Sequence, residues 1–175
     1  IDEHGIVHRL AAEDACQLSN RYPSDKYLLT AEQCSEALLT QVFSPRIAAP
    51  EVFRQFVYAW LTGNGDLHAK NLSIVENRKG QYELSPIYDI PSTAPYGDKS
   101  MALLLSGKKD GLSRRRFLTF AHNIGVSSRV AEHVLEEVLT GTEHLAEQAR
   151  EELPFDSHRM KELLKVLKNR RRSLL

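Results

Sequence analysis

Most apolar positions along the chain fall at helical spacing, with one short stretch of strands in the middle. Thr30 followed by Gln33 is a capping box, in which each side chain satisfies the other residue's backbone N–H. Cys34, Ala37, Leu38, Gln41 and Val42 then recur at i, i+3 and i+4, until Ser44 and Pro45 stop the helix. Pro50, which has no N–H to leave unpaired, suits the first turn of the next helix. Phe53, Phe56, Val57, Trp60 and Leu61 give that helix a wide apolar stripe, and it runs into Gly63, Asn64 and Gly65. Leu72 to Glu76 and Gln81 to Ser85 read as two strands around Asn77-Arg78-Lys79-Gly80, whose Asn and Gly favour a hairpin.

The flanking regions follow the same reasoning. Ile1 to Leu10 reads as extended, and Ala11 to Asn20 puts Ala15, Cys16 and Ser19 on one face of a short helix that Pro23, Ser24 and Asp25 break. Ile90 to Ser113 is irregular, punctuated by Pro91, Pro95, Gly97, Gly107 and Gly111, with one apolar run at Met101 to Leu105; connections this long are commonly functional. From Arg114 the chain is helical. Phe117, Phe120 and Ala121 define one face; Ser127 caps a second helix, with Val130, Val134, Leu135, Val138 and Leu139 on its stripe; Gly141 divides it. Met160, Leu163, Leu164 and Leu167 mark the last helix. The expected fold is mainly α with a small β-hairpin.

Bulk properties narrow the function. The 175 residues suffice for one domain with a real core, and 23 Lys plus Arg balance 23 Asp plus Glu, which excludes a global basic field for nucleic acid. No apolar run approaches the roughly 20 residues of a membrane span and no signal-peptide pattern opens the chain, so a cytoplasmic location with no membrane partner is expected. Cys16 and Cys34 lie on apolar helical positions and read as reduced, buried thiols. Acidic residues gather between Arg129 and Glu152 and basic ones from Arg159 to Arg172, which reads as solvated faces paired across helices. Ile1 stands where a Met would begin a chain and the opening reads as mid-domain sequence, so a longer protein is expected.

The chemistry concentrates in Asn64-Gly-Asp-Leu-His-Ala-Lys-Asn71 and in Asp89 beyond the hairpin. Taken singly, Asp and Asn in a Gly-containing loop mean a turn. Together they supply what in-line phosphoryl transfer asks of a protein: a carboxylate to orient or deprotonate the acceptor, and oxygen ligands for magnesium on the nucleotide phosphates. Asp66 and Asn71 are five residues apart, the separation of the base and the metal-binding Asn in protein kinases, and a hairpin returns the chain to Asp89.

The run Asn64-Gly65-Asp66-x-His68-Ala69-Lys70-Asn71-Leu72-Ser73 resembles the catalytic loop of HipA-family serine/threonine kinases, the toxins of bacterial toxin-antitoxin systems. Glu13-Asp14-Ala15-Cys16-Gln17, Pro23-Ser24-Asp25-Lys26-Tyr27, Tyr88-Asp89 and Gly107-Lys108 fall in that family's order. The resemblance implies a protein-kinase-like large, C-terminal lobe built as a helical bundle, whose small lobe lies outside this chain. Residues 1–89 would be the catalytic-loop and metal-site half, 90–113 the substrate and activation segment, and 114–175 a helical tail. It further implies Asp66 as catalytic base, Asn71 and Asp89 as magnesium ligands, and His68, Lys70 and Tyr88 lining the phosphates of ATP. The implied partners are a protein substrate, with aminoacyl-tRNA synthetases suggested, and a HipB-like helix-turn-helix antitoxin through which DNA would be reached. The Gly-rich phosphate loop, the strand-borne Lys and the family's autophosphorylation motif are not in the sequence.

Two other readings stand beside this one. Gly-Asp-Leu-His-x-x-Asn also resembles the loop of aminoglycoside and choline phosphotransferases, which usually carry His at the position of Asn64. A non-catalytic module docking a DNA-binding antitoxin is the alternative from another class; the intact Asp66, Asn71 and Asp89 argue against it.

Overall fold

A computed structural model describes Gly5, Val7 and residues 9–175, so the extended run expected over 1–10 falls largely outside the described residues. In chain order come strand β1 (Ala12–Asp14), helices α1 (Ala15–Leu18), α2 (Ala31–Leu39) and α3 (Pro45–Thr62), strands β2 (Ser73–Glu76) and β3 (Tyr82–Leu84), and helices α4 (Arg114–Asn123), α5 (Ser128–Gly141), α6 (Leu145–Glu152) and α7 (Ser157–Leu174). Single 3-10 turns occupy Pro23–Asp25, Ala69–Asn71 and Ala94–Tyr96.

The sheet has three antiparallel strands in the order β1-β2-β3, one more than the expected hairpin. β1 pairs Ala12 with Val75, Glu13 with Ile74 and Asp14 with Ser73. Three residues are too few to show an alternating pattern, and β2 makes them a strand by supplying the ladder. The expected helix over 11–20 is thereby cut to the four residues of α1. Asp14 caps it: its Oδ1 accepts from Gln17 N at 2.9 Å while Gln17 Oε1 accepts from Asp14 N at 3.0 Å.

The capping box at Thr30 and Gln33 forms as its spacing requires, with Gln33 N donating to Thr30 Oγ1 at 3.2 Å and Thr30 N to Gln33 Oε1 at 2.9 Å. Pro50 differs from expectation. Pro45 takes the first turn of α3, and Pro50 lies inside the helix. It withholds the N–H that the Arg46 carbonyl would use, and Arg46 is exposed, so water can serve that carbonyl.

α3 is the axis of the core, packed against α2, α4, α5 and α7. Its Phe53 and Phe56 meet Phe120 of α4 with ring centroids 6.2 and 5.1 Å apart, the second pair edge to face, and Phe53 meets Phe117 at 6.4 Å. These four side chains are fully buried. On α5 the core side is Ala131, Val134, Leu135, Val138 and Leu139; Val130, expected on that stripe, is exposed. Ser127 starts the helix by backbone conformation without a side-chain bond.

The last helix carries a further correction. Arg170, expected on a solvated basic face, is buried, with Nη1 donating to Trp60 O at 2.8 Å, Nη2 to Lys99 O, and the guanidinium stacked 4.1 Å from the Trp60 ring centroid. The acidic residues of α5 pair with Arg114 and Arg54 on neighbouring helices. Cys16 and Cys34 are free and buried, and burial pushes the Cys34 thiol up to about 12. Among the described residues no helix is long and apolar enough to cross a membrane.

Candidate active site

The loop after α3 begins where helix geometry ends. Gly63 adopts φ +76°, a left-handed conformation that costs a side-chain-bearing residue energy, and its carbonyl then accepts from Thr93 N at 3.0 Å. Asn64 is buried and its Oδ1 accepts from Asp66 N at 2.8 Å, a local turn that sets the backbone of Asp66. Gly65 is required by space: a Cβ there would overlap Thr93 Oγ1 and lie 2.8 Å from Ser100 O. Its N–H donates to Thr93 Oγ1 at 2.9 Å. The irregular segment 90–113 thus buttresses the loop from one side.

Asn71 and Asp89, 18 residues apart in sequence, are in direct contact, with Asn71 Nδ2 donating to Asp89 Oδ2 at 2.7 Å. Asn71 Oδ1 accepts from His68 N at 3.2 Å, and Gln55 Nε2 of α3 donates to Asn71 O at 3.3 Å. Asp89 holds φ +55°, a left-handed value that Asp and Asn adopt more readily than other side-chain-bearing residues. The donor types suit a hard ion such as magnesium and Asp89 is exposed, but Asn71 is buried with Nδ2 and not Oδ1 turned to Asp89, so the amide would have to turn over to share an ion with it. Among the described residues no three His, Cys, Asp or Glu side chains converge, so the protein would supply only part of such an ion's shell. Magnesium at phosphate sites usually completes its shell with phosphate oxygens and water.

Asp66 is held separately. Tyr27 Oη donates to Asp66 Oδ1 at 2.7 Å, and the carboxylate raises the Tyr27 pKa. Among the described residues no hydrogen bond joins Asp66 to Asn71 or Asp89.

His68 is buried, and its Nε2 lies 2.8 Å from Lys26 Nζ. An ammonium can only donate, so Nε2 accepts and the ring proton sits on Nδ1, which has no partner among the described residues. Burial and then the Lys26 charge lower the His68 pKa, keeping the ring neutral.

Lys70 and Tyr88 form a second group. Lys70 Nζ is paired with Asp14 Oδ2 at 2.8 Å, which raises the lysine pKa. The Tyr88 hydroxyl donates to Lys70 O at 2.7 Å and therefore accepts from Ser73 Oγ. Asp14, Lys26, Tyr27 and Thr93 hold these groups in place, roles that spacing along the chain did not assign. Asp14-x-x-Gln17 carries a readable capping signal; Lys26 and Tyr27 stand out only as part of the Pro23–Tyr27 resemblance, which does not say that they reach His68 and Asp66, 42 and 39 residues away.

A helical bundle carrying a small antiparallel sheet, with an Asp loop at the end of its central helix and an Asn–Asp pair across a hairpin, is the large lobe of a kinase-like fold. Residues 2–146 match the model of the HipA-like C-terminal domain, and the chain belongs to that family. It is 32% identical over 133 residues to "Putative kinase Y4mE" of Sinorhizobium fredii, a match covering 71% of this chain and 31% of that protein. The HipA structure of Shewanella oneidensis, solved as a toxin-antitoxin complex with HipB and operator DNA, superposes with a TM-score of 0.74 at 18% identity, covering 97% of this chain and 46% of HipA. The Helicobacter pylori proinflammatory kinase CtkA gives 0.55 at 16% identity, covering 95% of this chain and 69% of CtkA. At those identities the likeness is one of fold. The chain spans less than half the length of Y4mE and of HipA.

Proposed function

We propose that the chain is the large lobe of an ATP- and magnesium-dependent serine/threonine protein kinase, the toxin of a toxin-antitoxin pair. The observation that carries this reading is the Asn71–Asp89 contact, with Asp66 five residues before Asn71 on the same loop. Asp66 would accept the proton of the acceptor hydroxyl, a role typically worth about 10²–10⁴-fold in rate. Asn71 and Asp89 would hold magnesium, which when bound neutralises charge on the nucleotide phosphates. His68, Lys70 and Tyr88 would lie beside those phosphates; Lys70 would exchange its Asp14 partner for a phosphate oxygen, and Tyr88 would act by holding the Lys70 backbone.

The presence of HipB and operator DNA in the HipA complex supports a HipB-like helix-turn-helix antitoxin as partner, with DNA reached through it. The target would be a protein hydroxyl, with an aminoacyl-tRNA synthetase as the first candidate to try, and segment 90–113 would face it in the cytoplasm.

The test is transfer from labelled magnesium-ATP by the longest native form of the protein, with Asp66→Asn beside it. Label should enter protein and fall about 10²–10⁴-fold in the variant. Label entering small amino alcohols in preference to protein would favour the small-molecule phosphotransferase reading. No transfer, with no magnesium-dependent nucleotide binding, would leave a docking module.

A further inference from the structure

We propose that Tyr27 is a positioning residue for Asp66 and that, by occupying Oδ1, it assigns Oδ2 as the oxygen that takes the acceptor's proton. The inference rests on the kinase reading above and deepens it.

A carboxylate on a loop can turn about its side-chain torsions and offer either oxygen, whereas a general base must present one lone pair along one line. Tyr27 removes that freedom, since its hydroxyl donates to Oδ1 at 2.7 Å and, among the described residues, no other side-chain donor reaches the Asp66 carboxylate. Tyr27 is itself held. The preceding Lys26 accepts at its carbonyl from Ala69 N at 3.1 Å and donates from its ammonium to His68 Nε2 at 2.8 Å, both on the catalytic loop. The Tyr27 ring stands edge to face with His68, centroids 5.2 Å apart, and Lys26 Nζ lies 4.9 Å from the ring centroid. A two-residue segment therefore grips the loop at Asp66, His68 and Ala69. The grip is at the surface, with Tyr27 43% exposed, where an acceptor must approach.

The proton balance is simple. The acceptor's O–H bond breaks and its proton passes to Asp66 Oδ2; the acceptor oxygen bonds to the γ-phosphorus as the bond to the ADP oxygen breaks. Tyr27 keeps its own proton throughout, as the raised pKa of a phenol facing a carboxylate allows. The competing geometry, in which the phenol sits in the acceptor's own seat and must be expelled, predicts the opposite sign when the hydroxyl is removed.

The experiment compares the unaltered protein in its longest native form with Tyr27→Phe, Asp66→Asn and the double variant, measuring kcat, KM for ATP and the thermal midpoint. Tyr27→Phe should lower kcat about 10- to 100-fold with KM for ATP unchanged, and should cost nothing further in the Asp66→Asn background. An unchanged or raised kcat overturns the proposal, as does an equal loss in both backgrounds, which would mean that Tyr27 acts through the fold. Tyr27→4-fluorophenylalanine fills the hydroxyl's space without donating and must reproduce the fall; a normal rate there assigns the effect to packing and overturns the proposal. Transfer that Asp66→Asn abolishes but Tyr27→Phe leaves intact defeats this inference alone, whereas no transfer in the unaltered protein defeats the kinase reading beneath it.

Discussion

Asp14 serves two partners, and the two can be separated by substitution. One carboxylate oxygen caps α1 and the other pairs with Lys70. Asn caps as well as Asp but cannot form an ion pair, and the Lys70 side chain is 37% exposed, so screening keeps that pair weak. Asp14→Asn should therefore cost less than about 1 kcal/mol, and less still at high salt. Asp14→Ala loses the cap too and should cost about 1–2 kcal/mol more. Urea unfolding at two ionic strengths reads both; equal losses for Asn and Ala would mean that the cap contributes nothing. The capping half of this arrangement is legible as Asp-x-x-Gln. The Lys70 half is not, because 56 residues separate the partners and only the pairing of β1 with β2 brings them together.

At the scale of elements, the loop that carries Asp66 inherits its rigidity from α3. A buried helix that packs on four others has little freedom to tilt, and the loop continues from its last turn with no intervening linker. Phe120 of α4 closes the aromatic cluster on that helix. Phe120→Ala should destabilise the fold by about 3–5 kcal/mol, the range for emptying a buried Phe site, read as a lowered midpoint in denaturant. A loss under about 1 kcal/mol would show that α3 is not anchored through this cluster. The apolar stripes of α3, α4 and α5 were readable because a face turned to one core must repeat every three to four residues. β1 and the inner placement of Pro50 were not: a three-residue strand has no period of its own, and which of two prolines opens a helix depends on where its apolar face has to start.

Across the whole molecule, α7 closes the bundle through a buried cation. Arg170 has no carboxylate within ion-pair distance among the described residues, and its charge is met by the Trp60 and Lys99 carbonyls and the Trp60 ring. Burial brings its pKa down to about 10, which leaves it protonated at neutral pH. Arg170→Ala should cost about 1–3 kcal/mol for each carbonyl orphaned, and Arg170→Lys should recover only part, because one ammonium cannot replace a planar fork that also stacks. Hydrogen exchange should rise in α7 before it rises in α3; uniform exchange along both would show that Arg170 does not fasten the helix. Trp60 precedes the Asp66 loop and Lys99 lies in the segment that buttresses it, so the same guanidinium ties α7 to both sides of the candidate site.

The sequence by itself determined the helical stripes, the hairpin, the loop with Asp66 and Asn71, and the resemblance to the HipA-like family. Each is a local pattern, dictated by helix and strand periodicity or by residue spacing within one loop. Tertiary structure decided the third strand, the burial of Arg170, the Asp14 pairing of Lys70 and the hold of Lys26 and Tyr27 on the loop after α3. The reason is physical: these depend on which distant segments the closed core brings within hydrogen-bond reach, and a side chain's spacing along the chain carries no information about that.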